Sequence, residues 1–179
     1  MEARSVGMTL IELVMAIGVA AVLITVAAPG LAELMQRQRV QLVARELHFS
    51  LAYARSVAIH ESRRVVLCPS EDGETCLRRP DWHAGWIVFV DDDEDREHDP
   101  GERLLRVTQA AAPTIRVSAP RSRRRIRYLP DGTSPGSNLT MTVCDTTGVA
   151  PPRAVIVSNT GRPREAARGP SARDLVCPR

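Results

Sequence analysis

Residues 8–31 form an apolar run interrupted near its start by a single carboxylate, Glu12. About 20 apolar residues suffice to cross the hydrocarbon of a bilayer as a helix. A carboxylate toward the middle of such a helix is disfavoured by roughly 2.5 to 3.5 kcal/mol on insertion scales, so Glu12 requires a partner and a reason. From residue 31 to residue 60 the chain has neither Gly nor Pro, and Val40, Val43, Leu47, Leu51, Ala54 and Ala58 recur at spacings of three or four. That period predicts an amphipathic helix continuing the apolar one, with one buried face and with Leu42, Phe49 and Tyr53 on a neighbouring face. The whole helix, from Met8 to near His60, spans about 75 to 80 Å at 1.5 Å per residue. Pro29, which lacks an amide donor and crowds the preceding turn, is expected to kink or open it.

After residue 60 the period changes. Segments 64–68, 85–90, 103–107, 114–117, 125–129, 139–144 and 153–157 read as short strands, several alternating apolar and polar side chains. Such alternation marks half-buried antiparallel strands. Pro130-Asp131-Gly132 and Pro151-Pro152 punctuate them as turns. The expected fold class is therefore α+β, a long N-terminal helix laid on an antiparallel sheet. The expected divisions are 1–7, a leader; 8–31, a transmembrane and assembly helix; 32–62, an amphipathic helix; and 63–179, a β domain. The last of these, over 100 residues, is large enough to bury a core.

A secretory signal peptide fits the N-terminus poorly, because the apolar core is too long, Glu12 interrupts it, and Pro29 would follow the cut at Val26-Ala27-Ala28. A plain anchor explains the length but not Glu12. The sequence Gly7-Met8-Thr9-Leu10-Ile11-Glu12 resembles the class III signal of type IV pilins and type II secretion pseudopilins. The resemblance implies a prepilin peptidase that cuts between Gly7 and Met8 and methylates the new amine. It also implies that Glu12 meets the cationic terminus of a neighbouring subunit, offsetting the desolvation of both charges and setting the register of assembly. Met8 stands where the family most often has Phe, and the leader carries Glu2 beside Arg4.

The rest of the chain carries Ala54-Arg55-Ser56-Val57-Ala58 at the helix end, residues 82–91 from Trp82 to Asp91 on a hairpin, and Gly161-Arg162-Pro163-Arg164 near the C-terminus. With the N-terminal signature, these resemble the GspH and FimT group of minor pilins and pseudopilins, most closely FimT. The pilin fold is what that resemblance implies. Gly161-Arg162-Pro163-Arg164 resembles the G-R-x-R motif associated with DNA binding in FimT-type minor pilins of transformable bacteria, which makes Gly161, Arg162 and Arg164 candidate DNA-binding residues. Trp82 and Trp86 are expected to be structural, packing at a strand start.

Charge adds to this picture. Every Lys or Arg is arginine, 24 in all, and the net charge is +3. Each guanidinium keeps its charge and offers a planar donor fork suited to phosphate or carboxylate. Arg121, Arg123, Arg124, Arg125 and Arg127 form one cluster, and Arg162, Arg164, Arg168, Arg173 and Arg179 a second. If both face one side, DNA can be held through its phosphates, with affinity falling steeply as salt rises. Aromatics are nearly absent from both segments, so base stacking and sequence preference are expected to be weak. A solvated basic face balanced by the acidic loop is the plainer reading of the first cluster.

Four cysteines in a domain delivered outside the cytoplasm read as disulfides. Of three pairings, Cys68 with Cys76 and Cys144 with Cys177 is preferred, since each joins a strand end to a nearby loop or tail. The second bond would enclose the Gly161 motif and hold the basic tail against the sheet. The spacings match no familiar zinc pattern. Asp91, Asp93, Asp95, Glu97 and Glu102 approximate a calcium loop, but Arg96 replaces the required glycine and the flanks are strands, so a solvated acidic hairpin is favoured and no metal or cofactor is expected. Gly132-Thr133-Ser134-Pro135-Gly136 matches a nucleophile elbow, yet Pro135 and the following strand exclude the helix that elbow needs. His48, His60, His83 and His98 have no metal-motif spacing, and no catalytic residue is expected.

The expectation is a minor type IV pilin that enters or primes a pilus and binds DNA non-specifically during uptake. The alternatives are a GspH-like pseudopilin of a type II secretion system and a purely structural minor pilin for assembly and twitching. The expected partners are other pilins, prepilin peptidase, the membrane and DNA. The expected location is the inner membrane, single-pass, with the C-terminal domain in the periplasm, and the filament after assembly.

Overall fold

The computed structural model describes residues 9–170 and 173–177, without the side chains of Val26 and Pro29. Gly7 and Met8, the expected processing site, and Arg179 lie outside the described residues. Helix α1 runs over Leu10–Glu61. Thr9 precedes it and its Oγ1 accepts the Glu12 amide at 3.4 Å, the arrangement of a helix N-cap. Glu12 thus lies in the first turn, where the helix dipole favours an anion, a local role that the motif alone did not disclose.

The chain divides into two units between Met35 and Gln36. In the first, Ile11, Leu13, Val14, Met15, Ile17, Val19, Val22, Leu23 and Ile24 are all exposed. A helix apolar all round is stable only when lipid or neighbouring helices cover it. No single helix among the described residues is long and apolar enough to cross a membrane, but Leu10–Thr25 and Gly30–Glu61 together meet the requirement as a broken pair. Pro29 falls in the break.

The second unit holds the core. Val40, Ala44, Leu47, Leu51, Ala54 and Ala58 form the buried stripe of α1, while Val43, expected within it, is half-buried. Phe49 stacks on Tyr53 with ring centroids 6.2 Å apart, and the Arg106 guanidinium lies 4.9 Å over the Phe49 ring. Each fully buried leucine of the stripe contributes about 1.5 to 3 kcal/mol through burial.

Eight strands follow among the described residues: β1 (Val65–Pro69), β2 (Trp86–Val90), β3 (Leu104–Thr108), β4 (Ile115–Ser118), β5 (Ile126–Tyr128), β6 (Leu139–Asp145), β7 (Arg153–Val157) and β8 (Pro163–Ala166). They form two four-stranded sheets, ordered β3-β2-β1-β5 and β4-β6-β7-β8, rather than the single sheet the sequence suggested. Alternation identifies strands but not their partners, and here β5 turns back to β1 while β4 joins β6. Strand β8 was not anticipated at all, because Pro163-Arg164-Glu165-Ala166 is too polar to read as one. It is an edge strand that begins with its proline, where a missing amide costs no ladder bond.

Strands β1 and β2 bury both faces. Val65, Leu67, Trp86 and Val88 join the helix in the main core, while Val66, Cys68, Ile87 and Phe89 form a second cluster on the outer face with Cys76 packed against it. The Cys68–Cys76 disulfide, with Cα atoms 5.5 Å apart, pins the following loop over that face. In the second sheet Ile115, Val117, Met141, Val143, Val155 and Val157 face the helix. Cys144 alternates with them on the outer side and bonds Cys177, Cα to Cα 5.8 Å, bringing the C-terminal segment to the outer face of the second sheet. Trp82 lies in a short 3-10 turn, Trp82–Ala84, and Trp86 opens β2; both are fully buried, and the Trp86 indole donates to Ser50 Oγ at 3.0 Å.

Candidate nucleic-acid interface

The Gly161 motif sits on a turn whose position is set by steric contact. Gly161 has φ +76°, and a Cβ there would lie 2.0 Å from the Gly132 carbonyl oxygen and 3.2 Å from the Tyr128 ring. Only glycine permits both the left-handed backbone and that approach. Gly132 is itself at φ +76° against Ile59, and its carbonyl accepts Arg55 Nε at 2.9 Å. A guanidinium near the end of α1 therefore holds the Gly132 turn, and the Gly132 turn locates Gly161. The Ser134 amide adds a bond to the Asn159 carbonyl at 2.9 Å. Burial pushes the Tyr128 phenol well above its ordinary range, so it stays neutral beneath this junction.

From that anchored turn the chain enters β8, where alternation sorts the charges. Glu165 pairs in register with Val155, which faces the helix, and its carboxylate lies 3.6 Å from His48 Nδ1. Arg164 pairs with Ile156 on the opposite face, and Arg162 is two residues back along the same edge. Both arginines are exposed and, like Arg168 and Arg173 in the segment that follows, their guanidinium groups have no protein partner among the described residues.

The first arginine cluster does not act as a unit. Arg96, Arg123, Arg124, Arg125 and Arg127 line a cavity of about 200 Å³, closed by the Pro135-Gly136-Ser137 stretch of the same loop that contacts Gly161. Within it, Arg125 is committed. Its Nη2 donates to both Glu97 carboxylate oxygens at 2.5 and 2.6 Å, its Nη1 to the Leu77 carbonyl at 2.8 Å and its Nε to the Arg96 carbonyl at 3.1 Å. With Nη1 also donating to the Arg124 carbonyl at 3.3 Å, a guanidinium so satisfied ties two loops together and leaves no N–H for a phosphate in this arrangement. Arg124 spends one nitrogen on the Arg78 carbonyl at 2.7 Å. Arg123 and Arg127 have guanidinium groups without a protein partner among the described residues.

The same loop thus meets Gly161 at Gly132 and lines the arginine cavity at Pro135, Gly136 and Ser137. Sequence reasoning missed Arg55 and Gly132 as the residues that position the motif turn. Arg55 was visible only as part of a family-like helix end, since its carbonyl partner is 77 residues away. Ser134 of the G-x-S-x-G match is fully buried and donates to the Arg127 carbonyl at 2.7 Å, a structural role.

A long N-terminal helix whose second part packs on antiparallel sheets, with an apolar first part exposed on the isolated subunit, is the architecture of a type IV pilin or pseudopilin. The family described as type II transport protein GspH matches residues 43–161, more than half of the chain, and the chain belongs to that family of minor pilins and pseudopilins. It is similar to the pilin-like protein PilA1 of Thermus thermophilus, 29% identical over 163 residues that cover 88% of this chain and 96% of that protein. Its fold is that of the Pseudomonas aeruginosa type IV minor pilin FimU, with a TM-score of 0.60 at 22% identity over 78% of this chain and 98% of that one. A second crystal form of FimU gives 0.55, again at 22% identity, over 74% and 98%. The family is structural and not enzymatic.

Proposed function

We propose that this chain is a FimT-like minor pilin that binds DNA without sequence preference through its C-terminal arginines during DNA uptake. The observation that carries the reading is the pair Arg162 and Arg164, exposed and without a side-chain partner among the described residues, at an edge strand whose entry turn is fixed to the helix through Gly161, Gly132 and Arg55. Preset cations lower the ordering cost of holding a phosphate backbone. Arg168, Arg123 and Arg124 extend the basic surface, and Arg127 joins them in place of Arg125. In this reading residues 1–7 are removed at Gly7, Met8 is methylated, and residues 8–31 anchor the subunit in the inner membrane with residues 63–179 in the periplasm. Glu12 then pairs with a neighbour's new terminus as the subunit enters the filament.

The test is binding of the full chain, in neutral detergent, to fluorescent duplex DNA at several salt concentrations. Arg162→Gln or Arg164→Gln is expected to weaken binding equally on unrelated sequences and to flatten the log–log salt slope by about 0.7 to 0.9 per contact removed. Arg125→Gln should leave the slope unchanged. A wild-type chain that ignores DNA at low salt would put the second reading first, a pseudopilin of a type II secretion system, which the matched family's description favours.

A further inference from the structure

The loop between β2 and β3 places carboxylates at alternate positions, Asp91, Asp93 and Asp95, and one oxygen from each lies within 4.8 Å of the others. The intervening acids point elsewhere. Asp92 pairs with Arg63, Glu94 with Arg64 and Glu97 with Arg125. Three carboxylates left unneutralised at that separation repel one another. The feature that exposed surface acids do not share is Asp91, which is 3% exposed. Its Oδ1 accepts the Arg96 amide at 3.3 Å, while its Oδ2 is sealed from solvent and has no donor among the described residues. A buried carboxylate oxygen without a protein donor is rare because its desolvation is uncompensated.

We infer that this loop is a calcium site, with Asp91, Asp93 and Asp95 as the side-chain ligands. Counted from Asp91, the three fall at positions 1, 3 and 5 of a twelve-residue calcium loop. Position 6, where such loops need a glycine for the sharp turn, is Arg96, and its φ of +71° supplies the left-handed backbone that its side chain seemed to forbid. At position 7 the main-chain carbonyl is the usual ligand, so the engagement of the Glu97 side chain with Arg125 does not interfere. Glu102, at position 12, accepts the Asp92 amide at 2.7 Å and the Asp99 amide at 3.2 Å, closing the loop on itself. An all-oxygen loop of this kind suits calcium, whose coordination is irregular and flexible, better than magnesium, which demands a near-ideal octahedron and keeps its waters.

The full chain in neutral detergent, stripped with EDTA and titrated with calcium or magnesium chloride, tests the inference by calorimetry and thermal unfolding. One calcium per chain is expected to bind, with affinity of about 10⁻⁴ to 10⁻³ M, as in extracellular modules. The unfolding midpoint should rise with calcium, and magnesium should bind at least about tenfold more weakly. The double variant Asp93→Asn with Asp95→Asn should lose the rise, with an EDTA midpoint at or above that of the wild type because the repulsion is gone, and Asp92→Asn should still bind. The absence of both heat and midpoint shift at about 10 mM calcium would overturn the site, as would unchanged binding in the double variant or magnesium binding as tight as calcium.

Discussion

Asp145 shows how a single carboxylate is made safe inside this domain. Burial pushes its pKa up, but the Thr147 hydroxyl and the Ala150, Thr147 and Val149 amides all donate to it, and together they leave it below the usual carboxylate range. Gln36 Nε2 adds a bond at 3.0 Å, linking the start of the domain's helix to β6. A depressed folded-state pKa contributes stability above the unfolded value of about 3.9, lost as pH falls toward the folded one. Asp145→Asn is therefore expected to lower the unfolding midpoint clearly near pH 7, with the gap to wild type closing below about pH 4. Melting curves across that range check it, and a gap independent of pH would remove Asp145 from the acid response. At this scale sequence reasoning could list arginines but not sort them. Arg123 and Arg125 are two residues apart, yet only the latter meets Glu97 and the Leu77 carbonyl, and those partners lie 28 and 48 positions away.

Among the elements, β8 and the segment after it depend on the Cys144–Cys177 bond. The bond closes a loop with a sequence separation of 33 that contains the whole arginine motif. Chain-entropy arguments value such a closure at about 3 to 4 kcal/mol, against about 2.5 kcal/mol for the short Cys68–Cys76 loop. Cys144→Ser with Cys177→Ser is expected to cost stability on that order in denaturant titration. The double variant should also weaken DNA binding more than neutral substitution of a nearby exposed residue, since the freed tail must be ordered on contact. The amphipathic helix and seven strands were legible because each satisfies a hydrophobic period. Strand β8 was not, because its place is secured by the ladder to β7 and the steric lock at Gly161 rather than by apolar side chains.

For the molecule as a whole, assembly in the proposed function turns on the apolar helix of the first unit and the carboxylate in its first turn, Glu12. Glu12 already sits where the helix dipole favours it, so its replacement should not prevent folding or membrane insertion. Glu12→Val is expected to accumulate in the membrane at wild-type levels and to be depleted from sheared filaments, as immunoblots of the two fractions would register. Equal recovery of the variant in filaments would leave Glu12 as a first-turn residue of α1 alone.

Period and spacing along the chain by themselves determined the α+β class and the long helix, because these follow from side-chain polarity repeating at local intervals. The arginine-rich terminus is plain composition, and the family was reached through the resemblance of the motifs at residues 7–12 and 161–164. Partnership was decided only by tertiary structure: two sheets instead of one, Arg125 spent on Glu97, Gly161 locked against Gly132, and Asp91 buried with an oxygen unmet. Each depends on which distant groups the fold brings within a few ångströms, and burial and hydrogen bonding at that range leave no periodic trace in the sequence.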